Sequence, residues 1–168
     1  MIRRYRLFST RIAAELAEIR RASQKALEAC RAAQSVGPNQ RFLIDAAALN
    51  LHTFYGGVER IFEFVAREID GSLPGGPSSH RDLLSQMSMD VPGGRPAVIG
   101  PTTRASLEEF PHFRHLVRNL YTWDFVPAKI NDLAEQLPGA MDSLEADLTG
   151  FREFLDSSSH ADEPPAGL

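Results

Sequence analysis

The chain has 168 residues, 43% hydrophobic and 24% charged, with a formal net charge of −4. That length suits one domain with a sizeable core, and the composition lies away from the disordered and membrane classes. The acidic balance excludes a global positive field for nucleic acid, so any such contact needs a local patch or one assembled between subunits, and the single cysteine, Cys30, excludes an internal disulfide framework.

Arg3, Arg4 and Arg6 open the chain, and Arg11, Glu15, Glu18, Arg20 and Arg21 break up any apolar run behind them, so no secretory signal is expected. No window approaches the roughly 20 apolar residues that cross a bilayer, and a cytoplasmic protein is expected. The first helix is predicted over Ser9 to Gln34, where Ile12, Leu16, Ile19 and Leu27 recur at helical spacing and Ser9 or Thr10 suits the cap. Cys30 falls inside it as a small buried residue. After VGPNQ, with Asn39 as cap, a second helix is predicted from about Gln40 to Asp70. Phe42, Ala46, Leu49, Phe54, Val58, Ile61, Phe62 and Val65 give it a broad apolar stripe. Gly56-Gly57 inside it points to close approach by another backbone, or else to a kink.

GSLPGGPSS reads as a loop, followed by a short helix over about His80 to Met89 with Leu83, Leu84 and Met87 inward. His80-Arg81 at its start either borders a site or caps and solvates that turn. Val91 to Thr103 is a second irregular connection, and Thr102 or Thr103 suits the cap of a helix reaching about Tyr121. A last helical region runs from near Val126 to Leu155, with Pro138 predicting a kink or a division into two. Residues 1–156 form one domain in this reading, and 157–168 a disordered tail. The fold class is all-α, an irregular up-down bundle of four or five helices.

The segment HFRHLVRNLYTWDF, residues 112 to 125, concentrates the polar chemistry. On a helix Phe110, Phe113, Leu116, Val117 and Leu120 share the core side. Arg114, Arg118 and Tyr121 fall in one narrow band, with His115 and Asn119 as a column beside it. A solvated face is the ordinary reading of such a surface. Yet two arginines one turn apart repel unless an anion or carboxylate lies between them, and no acidic residue occurs between Glu109 and Asp124. Paired guanidinium groups beside neutral hydrogen-bonding groups suit a phosphodiester. The five histidines show no metal-ligand spacing with the carboxylates, and Gly75-Gly76 and Gly93-Gly94 lack the strand and lysine of a nucleotide loop. Neither metal nor cofactor is expected.

Arg114-His115-Leu116-Val117-Arg118-Asn119-Leu120-Tyr121 resembles the signature of HEPN-type ribonucleases: arginine, a polar residue, three more, histidine, and tyrosine two places later. The toxins of HepT–MntA toxin–antitoxin systems carry it in this form. LHTFYGGVERIFEFVAREIDGSLP, SHRDLLSQM and PGGRPAVI resemble other segments of the HepT-like branch in the same order, so the resemblance spans roughly Ser9 to Leu155. It implies a HEPN-like bundle and metal-independent RNA cleavage, with tRNA among the candidate substrates, in a cleft shared by two protomers. There Arg114 would stabilise the phosphorane, and two copies each of Arg114 and Arg118 would form the local positive patch. It also implies an MntA-like nucleotidyltransferase antitoxin that attaches AMP to Tyr121. The departure is Asn119, which stands where the family has its acid–base histidine; an amide does not titrate usefully, though it can orient a phosphate or ribose hydroxyl. His115, one turn earlier, either takes over the proton transfer or orients its neighbours.

Overall fold

The computed structural model describes residues 2–35, 37–108, 110 and 126–161. Among these residues run five helices: α1 (Ile2–Ala33), α2 (Gln40–Glu68), α3 (Ser79–Met87), α4 (Pro101–Glu108) and α5 (Pro127–Ala161). The expected all-α bundle is the fold found. Only a lone antiparallel bridge between Val91 and Arg95 has β character among the described residues.

Helix α1 is the axis of the bundle and packs along both α2 and α5. Arg4 pairs with Glu68 at 2.9 Å and Arg60 with Glu15, so α1 and α2 run antiparallel. Ser9 Oγ donates to Asp156 at 3.1 Å and Arg20 pairs with Glu145, so α5 is antiparallel to α1 as well. Phe8, Ile12, Leu16, Ile19, Ala22, Ala26 and Cys30 form the buried face of α1 at intervals of three and four. The helix starts at Ile2, not at Ser9. Ser9 is buried in mid-helix, with its carbonyl accepting from Arg152 Nε at 3.1 Å, and Thr10 donates back to the Arg6 carbonyl. Their hydroxyls therefore serve tertiary and in-helix bonds rather than a cap.

In α2, Asn39 holds the cap position without a side-chain cap bond. Gly56-Gly57 was read as admitting another backbone or marking a kink; what is found is a close approach at Gly57 by a side chain, Ile19 of α1. A Cβ at Gly57 would lie 2.5 Å from Ile19 Cγ1, whereas one at Gly56 would meet only Arg60 Nη1 at 3.6 Å. The helix continues through both. The apolar stripe is narrower than expected. Leu51, Phe54, Val58, Ile61, Phe62 and Val65 are buried, but Phe42 and Leu49 are 70% and 59% exposed. Steps of 100° place those two opposite Leu51 and Val58, outside the arc that α1 and α5 cover.

Helix α3 buries Leu83, Leu84 and Met87 as expected. Helix α4 opens on Pro101, which suits a first helical position. Neither Thr102 nor Thr103 caps it: Asp147 of α5 accepts the Gly100 N–H at 2.8 Å and the buried Thr103 hydroxyl at 2.5 Å. The helix is described over Pro101–Glu108, and Phe110, expected inside it, lies in a bend whose N–H bonds the Leu107 carbonyl. The remainder of that expected helix lies outside the described residues. Pro138 neither divides nor ends α5. Ala134, Leu137, Ala140, Met141 and Leu144 are buried on both sides of it, and that packing offsets a proline penalty of about 3 kcal/mol. The helix also continues to Ala161, into the segment expected to be a disordered tail, with Ser159 buried and bonded to the Asp156 carbonyl.

Candidate functional site

Arg114, His115, Arg118, Asn119 and Tyr121 all lie outside the described residues, and so does the band they were expected to share. What is described is the wall from which the chain enters that stretch. Phe110, fully buried, packs 5.4 Å from the Phe54 ring and stacks on Tyr55 at 6.4 Å with 13° between planes. Both partners come from the middle of α2, where they are buried.

One turn beyond Tyr55 stands Glu59, a carboxylate on a helix side otherwise given to apolar packing, 6% exposed. Its Oε1 lies 2.5 Å from Nδ1 of His80, the second residue of α3, whose side chain is 35% exposed. A carboxylate taken from water loses hydration worth on the order of several kcal/mol, and a close cationic or N–H partner offsets that loss. The first turn of α3 thus brings an imidazole to this buried carboxylate. His80 was read as bordering a site or capping its own turn, and the contact with Glu59 is a tertiary one. Glu59 was missed from the sequence. Its place between Val58 and Ile61-Phe62, within the apolar stripe, was the available signal.

The position of α3 is fixed at its other end. Asp70, just past α2, accepts from Arg95 Nε at 2.7 Å and Nη2 at 2.6 Å, a two-pronged pair whose arginine side chain is wholly buried. Arg95 also donates to the carbonyls of Gln86, Met89 and Pro96, while Gln86 bonds Asp70 and the Ser72 carbonyl. The N–H groups of Val98 and Ile99 both reach the Met87 carbonyl, sealing the end of α3. One guanidinium thus ties the end of α2, the last turn of α3 and the connection from Val91 together.

Other chemistry is dispersed. A cleft of about 160 Å³ between α1 and α2 sets Arg11, Arg60 and Arg67 against Glu15, Glu63 and Glu68, with no excess of positive charge for a polyanion. Cys30 is buried, and burial first, then the Glu135 charge, holds its thiol above the ordinary range, so it stays protonated and unreactive at neutral pH. Among the described residues no group of three or more His, Cys, Asp or Glu is placed to hold a metal ion, and no helix is long and apolar enough to cross a membrane.

No curated protein and no solved structure matches the chain. A family model does: that of the HepT-like proteins, over residues 46–155. The match takes in α2 from Ala46, α3 with its arginine clamp, α4, the Arg114–Tyr121 stretch and α5 to Leu155. It is narrower at the N-terminal side than the resemblance read from Ser9, since α1 and the start of α2 fall outside it. With most of its length in that match, and with an all-helical bundle to go with it, the chain belongs to the HepT-like family of HEPN proteins.

Proposed function

We propose that the chain is the toxin half of a type VII-like toxin–antitoxin pair: a metal-independent endoribonuclease, acting in the cytoplasm as a homodimer and restrained by an MntA-like nucleotidyltransferase. Family membership supports a HEPN-type, toxin-like function in general. The observation that carries the finer reading is that residues 46–155 include Arg114, the polar His115, Arg118 and Tyr121 in HepT order. In this reading Arg114 stabilises charge on the phosphorane, Arg118 holds the RNA backbone, and Tyr121 receives AMP, whose negative charge closes the cleft to RNA.

Asn119 favours a second reading, a HEPN scaffold without catalysis that binds the nucleotidyltransferase or RNA. The two separate in one experiment. Purified wild type and Asn119→His are incubated with tRNA and short RNAs in the presence of a chelator. Cleavage by wild type, raised about 10²–10⁴-fold in Asn119→His, supports the nuclease reading. Silence in wild type with cleavage in the variant assigns the scaffold. Arg114→Ala is expected to remove both cleavage and growth inhibition. Intact mass after co-expression with an MntA-like nucleotidyltransferase tests for adenylylation, with Tyr121→Phe expected to abolish it.

A further inference from the structure

Phe42 and Leu49 are the large apolar side chains that α2 leaves exposed, and they stand about two turns apart on one side of it. The line through them continues at alternating steps of four and three: Phe42, Ala46, Leu49, Thr53, Gly56 and Arg60. At 100° per residue all six fall within an arc of about 80°. That is the spacing by which one helix seats against another. Thr53 Oγ1 donates to the Leu49 carbonyl at 2.9 Å, so its hydroxyl needs no outside partner.

Gly56 adds an independent sign. A mid-helix glycine weakens its helix and persists where a neighbour needs the space. Gly57 has such a neighbour in Ile19, but a Cβ at Gly56 would meet only the far end of Arg60 at 3.6 Å. Nothing in its own chain requires Gly56 to be small. Gly139 and Gly150 of α5 are likewise open, yet no exposed large apolar residue accompanies them on that helix.

We infer that a second copy of this chain covers the seam, α2 against α2 in antiparallel sense about a two-fold axis level with Leu51. This deepens the homodimer reading above and rests on it for the fact that two chains pair. The seam complements its own reverse. Turned end for end, it sets Ala46 against Gly56 of the second copy, where two small residues let the helices come close, and Leu49 against Thr53. It also brings Arg60 of the second copy over the Phe42 ring and within a turn of the exposed Asp45. Arg60 is paired with Glu15 in its own chain, yet 58% of its side chain stays exposed for this contact. Each contact occurs twice, as an isologous interface requires. A parallel pairing would set Arg60 against Arg60, like charge on like.

Sedimentation equilibrium of the full chain over a concentration series is expected to show a dimer. Leu49→Glu is expected to raise its Kd about 10²-fold, since two carboxylates enter an apolar contact. Gly56→Gln introduces a good helix former but holds the helices apart, and about a 10-fold rise is expected. Circular dichroism of both variants should match wild type. In the double variant Ala46→Cys/Gly56→Cys, mild oxidation is expected to link two chains, because the two positions lie about 15 Å apart along one helix, too far to bridge within it. An unchanged Kd in Leu49→Glu would overturn the inference and leave the homodimer reading standing on another face. Unfolding of Leu49→Glu would overturn it too, since Leu49 would then be packed within its own chain. A wild type that stays monomeric would overturn both and assign the seam to a helix of another protein.

Discussion

Gly57 shows how much one missing methyl group decides. The glycine pair was visible in the sequence, but what comes close is the Ile19 side chain of α1 rather than a backbone, and nothing in the sequence told the two glycines apart. Only α1 does, through Ile19. In Gly57→Ala the new methyl must displace Ile19 Cγ1, a buried atom 2.5 Å away with little room to move. Overpacking of this kind costs about 1–3 kcal/mol, which exceeds the gain of up to about 1 kcal/mol from removing a mid-helix glycine. In Gly56→Ala the nearest atom is the far end of Arg60 at 3.6 Å, so only the gain remains. Urea denaturation is expected to place Gly57→Ala below wild type and Gly56→Ala level with it or up to about 1 kcal/mol above. Equal midpoints for the two would mean that α1 and α2 are not in close contact at this turn. Glu59 teaches the complementary lesson: a charge inside an apolar stripe signals a partner, but its identity, His80, lies in another helix.

At the level of elements, local pattern located the helices and distant residues set their ends. The centres of α1, α2 and α3 followed from apolar spacing. The boundaries did not, because Asp147 caps α4 from α5, Asp156 engages the serine expected to cap α1, and burial on both flanks carries α5 through Pro138. Helix α3 has only nine residues and too few turns to be stable by itself. Asp70 and Arg95 hold it. Replacing Asp70 by Asn leaves the wholly buried Arg95 guanidinium without its counter-charge, a change that typically costs 3–5 kcal/mol, so about that loss is expected in denaturant. Hydrogen exchange should show the loss concentrated in α3 and residues 91–99. A shift under about 1 kcal/mol would mean that the carbonyls of Gln86, Met89 and Pro96 satisfy Arg95 without Asp70.

For the whole molecule the puzzle is charge. One chain carries a net −4, and pairing two of them doubles the repulsion that RNA must overcome. The cleft between α1 and α2 does not relieve it, since three glutamates line it beside three arginines. The proposed homodimer answers this with two copies each of Arg114 and Arg118, a positive patch that neither chain has alone. Their arrangement was readable from sequence only as a periodicity, because a site shared between subunits leaves no second half in one chain for a pattern to reveal. Four arginines neutralising four phosphates of a single strand imply that log K falls with log salt at a slope of about −3. Arg118→Ala removes two of the four and should reduce the slope to about −1.5 while weakening binding of all sequences alike. Fluorescence anisotropy with a 2′-O-methyl oligonucleotide, which cannot be cleaved through its 2′-oxygen, measures this apart from catalysis. Sedimentation under the same salt conditions shows whether the bound species is a dimer. A slope near zero, or a monomer that binds as tightly as a dimer, would remove the shared arginine patch from the account and with it the reason for pairing two acidic chains around RNA.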